Sequence, residues 1–173
     1  MKKSVFFDRD GIVNESPGKG YVECVADFHV MTNFPNVLRI VKDKGYEAVI
    51  VSNQRGVARG IVGIEEIEKM HRKLKSILSD KHNLELLDIF YCPHNEGECE
   101  CRKPKPGMLL DAARKHDINL SGSWMIGDNE RDIEAGRRAK CKTILVSADE
   151  FETQADFRVR DMKELKELVA EVL

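Results

Sequence analysis

Short apolar runs alternate with segments of helical periodicity along this chain of 173 residues. Five runs have the length and the Val, Ile and Phe content of buried parallel strands. They lie at 3–7, 47–52, 86–91, 124–126 and 143–146. Helical spacing is found at 34–44, 64–82, 106–116, 131–138 and 161–173, the last with Asp161 as N-cap. Because alternating strands and helices pack as a parallel sheet between helices, the sequence predicts an α/β fold with a Rossmann-like, doubly wound parallel sheet and helices on both faces.

Length and composition indicate an ordinary globular protein with one domain over 1–173, since 42% of its residues are hydrophobic and 34% are charged. A formal net charge of −2 argues against general nucleic-acid binding, which requires a basic excess. No apolar run approaches the length of a membrane span, and the N-terminus has no signal-peptide pattern. We expect a cytoplasmic monomer that acts on a small molecule, with neither a nucleic-acid nor a membrane partner.

Two aspartates follow the first predicted strand. Asp8 and Asp10 close the apolar run and lead into Gly11, which permits a sharp turn. Open α/β sheets bind ligands at this carboxyl edge of their strands. Asp8 could attack an electrophile while Asp10 moves a proton, which is the division of labour that an aspartyl-phosphate reaction requires. The alternative is an acidic turn without chemistry.

The second and fourth predicted strands also end in polar residues. Ser52 and the backbone N–H groups after it could hold phosphoryl oxygens, although the same residues are common in plain loops. Asp128 could complete a Mg²⁺ site with Asp8, because hard cations prefer oxygen ligands. Asp132, one helical turn later, is expected to steady Lys103 or a metal-bound water. For Asp132 the alternative is an acidic residue that favours a helix N-terminus.

Three cysteines and a histidine lie within ten residues, in the segment 92–101. They are Cys92, His94, Cys99 and Cys101. This set matches a closed tetrahedral zinc site, in which four protein ligands leave no open position, so the metal would be structural. It would anchor the loop that carries Arg102 and Lys103. The alternative is a reduced or disulfide-linked cysteine cluster. The crowding of these cysteines favours metal ligation in a reducing compartment over a disulfide framework.

Electrostatics connects these segments. Asp8, Asp10 and Asp128 would repel one another and any phosphate dianion. Lys103 supplies one positive charge, and a divalent cation is needed for the rest. The sequence therefore predicts a Mg²⁺-dependent site for a phosphate ester.

Four segments resemble the four motifs of the haloacid dehalogenase (HAD) superfamily of phosphatases. They are Asp8-Arg9-Asp10-Gly11, Ser52-Asn53, Lys103-Pro104, and Gly127-Asp128 with Asp132. The resemblance extends over at least 5–146 and implies a HAD-like fold, here without a large cap domain. It also implies that Asp8 is the nucleophile and that Asp10 is the acid/base and offers its backbone carbonyl to Mg²⁺. Asp128 would be the other metal carboxylate, and Ser52 and Lys103 would stabilise the phosphoryl group.

The zinc loop and the sequence Cys101-Arg102-Lys103-Pro104 are similar to a narrower branch of heptose bisphosphate and histidinol-phosphate phosphatases. The residues expected to bind substrate are Gly18, Lys19, Gly20, Tyr21, Ser52, Asn53, Gln54, Arg55, Arg102, Lys103 and Asn129. The 15–19 loop is longer than the usual heptose-enzyme loop, and Asn129 stands where those enzymes often have lysine. D-glycero-D-manno-heptose 1,7-bisphosphate is the expected substrate. Histidinol phosphate is the alternative, followed by a zinc-stabilised binding module without activity.

Overall fold

The computed structural model describes all 173 residues and contains one six-stranded parallel sheet. Its strands are β1 (Ser4–Phe7), β2 (Glu47–Asn53), β3 (Asp88–Cys92), β4 (Trp124–Gly127), β5 (Lys142–Val146) and β6 (Phe157–Val159). They lie in the order β3-β2-β1-β4-β5-β6, and every neighbouring pair is parallel. This arrangement confirms the predicted fold class.

Six α-helices connect or follow the strands. They are α1 (Phe34–Asp43), α2 (Arg55–Ala58), α3 (Ile64–His82), α4 (Gly107–His116), α5 (Glu130–Arg138) and α6 (Met162–Val172). The side chain of Asp161 accepts hydrogen bonds from two backbone N–H groups at the start of α6, which confirms it as the N-cap. None of the helices is both long and apolar enough to cross a membrane.

The strands bury side chains on both faces of the sheet. Phe7 and Ile50 belong to the larger core cluster, which contains residues of α1, α3 and α6. Phe6 and Val49 belong to a second cluster, with residues of α4 and α5. Alternation of side chains along each strand produces these two cores, so the apolar runs are nearly continuous rather than alternating.

The predicted long elements agree with the structure within about two residues at their ends. Two short elements were not predicted. One is β6, three residues long, of which only Val159 is buried. The other is α2, a single turn of four residues after β2. Both are too short to show a periodicity that distinguishes them from loop.

The position of the site follows from the strand order. β1 lies between β2 and β4, so consecutive strands run outward from β1 in both directions. At such a switch point the loops after neighbouring strands diverge and leave a crevice at the carboxyl edge. Phe7 of β1 pairs with Ile126 of β4, and the segments that follow both strands therefore start side by side.

Candidate active site

Asp8 and Asp128 face each other across this crevice. The backbone N–H of Asp8 donates to the carbonyl of Ile126 over 2.9 Å, which ties the end of β1 to β4. Gly11 completes the turn with a φ of +94°, and a Cβ at this position would lie 2.0 Å from Asp128 Oδ2. Only glycine allows the two segments to approach this closely.

Lys103 is the central cation of the site and is only 2% exposed. Its Nζ lies 2.7 Å from Asp8 Oδ1 and 2.7 Å from Asp132 Oδ1. The same Nζ donates to the backbone carbonyl of Val51 over 2.7 Å. Three oxygen atoms thus surround the ammonium group, contributed by the segment after β1, by β2 and by α5.

Asp132 uses both carboxylate oxygens. While Oδ1 pairs with Lys103, Oδ2 accepts from the backbone N–H of Asn129 over 3.1 Å. The side chain of Asn129 in turn accepts from the N–H of Arg131, which forms a capping box at the start of α5. The prediction that Asp132 steadies Lys103 is therefore confirmed, and so is the alternative that it favours the helix start.

Burial and mutual repulsion perturb the pKa values of the site. Burial, followed by the charge of Asp132, raises the pKa of Asp8 to about 7 against the opposing effect of Lys103. Burial and Asp132 also raise the pKa of Asp128 to about 6. Burial opposes the charge on Lys103, but Asp132 and Asp8 outweigh it and raise the lysine pKa. The carboxylates thus carry more negative charge density than one lysine balances.

This donor set fits a divalent cation. Single carboxylate oxygens of Asp8, Asp128 and Asp132 all lie within 4.8 Å of one another. Because Lys103 and the start of α5 engage both oxygens of Asp132, the carboxylates left to hold a metal are Asp128 and, through the oxygen that Lys103 does not contact, Asp8. Oxygen ligands of this kind suit Mg²⁺, which keeps several of its own waters.

The carboxylate of Asp10 points to a different set of donors. Nη2 of Arg9 lies 3.0 Å from Asp10 Oδ1, and Asn14 Nδ2 donates to the same oxygen over 2.9 Å. Gln54 Nε2 donates to Oδ2 over 3.0 Å. Arg9 has no solvent exposure, and its guanidinium also lies 5.4 Å from the centre of the Phe28 ring. Three polar side chains therefore fix the orientation of the Asp10 carboxylate.

The residues after β2 hold the lysine loop in place. Asn53 Nδ2 donates to the carbonyl of Lys103, and the N–H of Lys103 donates to Asn53 Oδ1, each over 3.0 Å. Ser52 is fully buried, and its Oγ accepts from Gln54 Nε2 over 2.6 Å. Ser52 does not line the cavity described next, so its assignment as a phosphoryl ligand stays a prediction.

A cavity of about 450 Å³ opens over these residues. It is lined by Asp8, Asp10 and Asp128 and by all the predicted substrate residues except Ser52: Gly18, Lys19, Gly20, Tyr21, Asn53, Gln54, Arg55, Arg102, Lys103 and Asn129. The structure thus brings together segments from four parts of the chain. The 16–22 loop forms one wall, and the end of the cysteine-containing loop forms another.

The Cys/His cluster has the dimensions of a metal site. Sulfur atoms of Cys92 and Cys99 are 3.4 Å apart, and those of Cys99 and Cys101 are 3.3 Å apart. His94 Nδ1 lies 3.5 Å from Cys92 Sγ and 3.4 Å from Cys101 Sγ. Tetrahedral zinc would separate its ligand atoms by roughly 3.5–3.8 Å, so a small expansion accommodates the ion. None of the five cysteines forms a disulfide in this structure.

Besides Ser16, Pro17 and Val22 of the cavity wall, sequence reasoning missed three residues that touch the site or its carboxylates. Arg9 and Asn14 bind Asp10, and Arg131 lines the cavity. The position of Arg9 between two aspartates carries no signal of burial, because arginine is usually exposed. Arg131 lies in the first helical turn after Asp128, and this proximity was the one available indication of its location.

The sequence and the fold both match known proteins. The HAD-hydrolase-like family model matches residues 100–169. A D-glycero-β-D-manno-heptose-1,7-bisphosphate 7-phosphatase of Helicobacter pylori is 36% identical over 170 residues, covering 96% of this chain and 97% of the relative. The chain belongs to the HAD-like phosphatase family. The Campylobacter jejuni relative, a D-glycero-α-D-manno-heptose-1,7-bisphosphate 7-phosphatase, is 36% identical over 167 residues, covering 96% of this chain and 94% of the relative.

A solved structure supports the family assignment. The D,D-heptose 1,7-bisphosphate phosphatase of B. bronchiseptica, complexed with magnesium and phosphate, aligns with a TM-score of 0.86 and 28% identity. The alignment covers 96% of this chain and 97% of that one. The resemblance inferred from the four motifs is therefore confirmed.

Removal of the central cation tests the electrostatics of the site. We expect Lys103→Met to lower the free energy of unfolding of the metal-free protein by about 3–5 kcal/mol at pH 8, because Asp8 and Asp132 become unpaired buried carboxylates. At pH 5 the deficit should shrink, since the pKa of Asp8 is raised to about 7 and its carboxyl group is protonated there. Urea unfolding of wild type and Lys103→Met at both pH values measures this loss of stability.

Lys166→Met, which removes an exposed lysine of α6, is the matched control. It should change stability by less than about 0.5 kcal/mol at either pH. An equal loss for both variants would show that Lys103 does not balance buried charge.

Proposed function

We propose that this protein is a Mg²⁺-dependent phosphatase that converts D-glycero-D-manno-heptose 1,7-bisphosphate to heptose 1-phosphate through an aspartyl-phosphate. The observation that carries the proposal is the placement of Asp8 and Asp128 opposite each other, with the buried ammonium of Lys103 2.7 Å from Asp8. The proposed nucleophile, the proposed cation ligands and the lysine that compensates their charge thus lie together at the carboxyl edge of the sheet. Relatives of almost the same length that carry this activity in their names support the choice of substrate.

In the first step, a carboxylate oxygen of Asp8 attacks the phosphorus of the 7-phosphate, and the bond from phosphorus to the sugar oxygen breaks. Asp10 donates its proton to the departing oxygen, so the sugar leaves as an alcohol. Lys103 stays beside the reacting carboxylate and offsets the charge that accumulates on the phosphoryl oxygens. Arg9, Asn14 and Gln54 hold the Asp10 carboxyl in place during the transfer.

In the second step, ionised Asp10 takes a proton from a water molecule as the water oxygen attacks the aspartyl-phosphate. The bond from phosphorus to Asp8 breaks, which releases inorganic phosphate and restores the Asp8 carboxylate and the protonated Asp10. Mg²⁺, held by the carboxylates of Asp8 and Asp128 and by the backbone carbonyl of Asp10, would supply positive charge opposite the transferred group.

We also propose that the cluster of Cys92, His94, Cys99 and Cys101 binds a structural zinc ion within a single domain over 1–173. The close approach of all four ligand atoms and the single six-stranded sheet support this proposal. Free cysteines favour a reducing compartment, and we propose the cytoplasm and a monomeric state on that basis and on the scatter of the exposed large apolar residues.

The choice between the two substrates of this branch rests on charge. Arg102, Lys19 and Arg55 line the cavity around the catalytic carboxylates. A second phosphate is attracted by such a cationic rim, whereas the amine of histidinol phosphate is repelled. The cavity therefore favours the bisphosphate.

The first test concerns the two aspartates. We expect Asp8→Asn to abolish phosphate release, because the amide cannot form the aspartyl-phosphate. Asp10→Asn should reduce kcat by about 10²–10⁴-fold through loss of acid/base assistance. Steady-state phosphate release measures both variants, with Asp111→Asn on the exposed surface of α4 as a control that keeps full activity. Normal turnover by folded Asp8→Asn protein would refute the assignment.

The second test concerns the cysteine loop. Elemental analysis should find about one zinc ion per chain in wild type and in Cys24→Ser, whose cysteine lies outside the cluster. Cys99→Ser should lose zinc and lower the melting temperature, because the loop that carries Arg102 loses its anchor. A zinc-free wild-type protein with normal stability and activity would contradict a structural metal.

The third test concerns the substrate. We expect kcat/KM for heptose 1,7-bisphosphate to exceed that for histidinol phosphate by at least tenfold. Arg102→Ala should lower kcat/KM for the bisphosphate by about 10–100-fold, the contribution of one charge-assisted hydrogen bond, and should affect a simple monophosphate less. A higher kcat/KM for histidinol phosphate would reverse the substrate choice and leave the Asp8 chemistry in place.

A further inference from the structure

Three guanidinium groups at the cavity have no carboxylate partner, those of Arg55, Arg102 and Arg131, and only Arg55 bonds the side chain of another loop, at Asn95. Arg102 and Arg131 make no ion pair, and Nη1 of Arg102 is buried without any hydrogen-bond partner. Two basic residues nearby are already paired, Lys105 with Glu100 over 2.7 Å and Arg138 with Glu134. An unpaired buried donor is costly, which indicates that Arg102 meets an acceptor from outside the chain. Arg131 is exposed, so its unpaired guanidinium is accessible to the same acceptor.

Arg131 is held with its terminal nitrogens free. Asn129 Oδ1 accepts from Arg131 Nε over 3.1 Å and from the Arg131 backbone N–H over 3.2 Å. Neither terminal nitrogen of Arg131 has a partner within the protein, so both remain available for a bidentate contact. The side-chain oxygen of Asn129 is occupied by the same two bonds, and Arg131 is the basic residue of α5 that lines the catalytic cavity.

The two arginines stand between the catalytic cavity and a second cavity of about 540 Å³ beside the zinc loop. Together with Lys103 they line both spaces. Five basic residues and one acidic residue line the second cavity: Arg102, Lys103, Lys105, Arg131, Arg138 and Glu96. An anion that extends from the catalytic carboxylates in this direction therefore enters a region of positive potential.

The opposite direction has the reverse charge. A cavity that reaches Asp128 from the side of α6 is lined by two basic residues, Arg160 and Lys163. Three acidic residues, Glu15, Asp128 and Asp161, outnumber them. A substrate with a second phosphate is thus attracted to the zinc-loop side, because the α6 side has no basic excess.

We propose that Arg131 is a specificity-determining residue that binds, together with Arg102, the phosphate at the far end of the substrate, on the zinc-loop side of the cavity. The inference rests on the proposed function, which supplies the second phosphate. Planar guanidinium forks match phosphate oxygens in pairs, and an arginine anchored at Nε loses little freedom on binding. Arg131, two residues after Asn129, thereby provides a positive charge that the uncharged side chain of Asn129 cannot supply.

The test compares a bisphosphate with the matching monophosphate. Phosphate release from heptose 1,7-bisphosphate and from heptose 7-phosphate is measured for wild type, Arg131→Gln, Arg131→Lys and Arg137→Gln. Arg137 is the matched control, because it is an exposed arginine of the same helix that bonds Gln154 and lines neither cavity. Its replacement removes the same surface charge from α5.

We expect Arg131→Gln to raise KM and lower kcat/KM for the bisphosphate by about 10–100-fold, and to change kcat/KM for the monophosphate less than about threefold. Arg131→Lys should recover part of the loss, since lysine keeps the charge without the fork. Arg137→Gln should leave both substrates unchanged. An equal loss on both substrates, or a loss no greater than that of Arg137→Gln, would overturn the role of Arg131. Failure of wild type to release phosphate from either heptose substrate would instead refute the proposed function.

Discussion

The buried ammonium group of Lys103 is the interaction on which the rest of the site depends. It contacts Asp8, Asp132 and the carbonyl of Val51, so it joins the segment after β1 to β2 and to α5. Asp8 and Asp132 repel each other, and their proximity is tolerable because the cation lies 2.7 Å from both. Glycine at position 11 brings Asp128 into the same charge cluster. The cluster retains a surplus of negative charge, which is the physical basis for binding a divalent cation.

The two aspartates of the first motif lie in contrasting environments. Asp8 shares its oxygens with Lys103 and the proposed metal, whereas Asp10 is bound by three neutral or cationic side chains away from that cluster. The guanidinium of Arg9 is fully buried, and its pairing with Asp10 and its packing on Phe28 offset the cost of removing its charge from water. Separate environments for two nearby carboxyl groups allow one to act as nucleophile and the other to transfer protons.

The cysteine loop connects stability with recognition. Its four metal-ligand side chains end one residue before Arg102, and Asn53 clamps the backbone of Lys103 with two hydrogen bonds. Arg55 Nε donates to Asn95 Oδ1 over 3.2 Å and ties the same loop to the start of α2. One loop therefore fixes both Lys103 and Arg102, which line the cavity. A metal there would act on activity through position rather than through chemistry.

The sequence by itself determined the alternation of strands and helices, because apolar periodicity is a local property that survives in any tertiary context. It also determined the candidate site, since polar residues that directly follow buried parallel strands must meet at one edge of the sheet. The tertiary structure alone decided that Arg9 is buried against Asp10, that Ser52 is buried and bonded to Gln54, and that Arg131 lines the cavity. Arg9 with Asp10 and Ser52 with Gln54 are close in sequence, but their burial depends on the distant segments packed over them, such as Phe28 and Met70 against Arg9, and no local pattern encodes that packing. The three-residue β6 was missed for the same reason, because pairing with β5 and not its own periodicity makes it a strand.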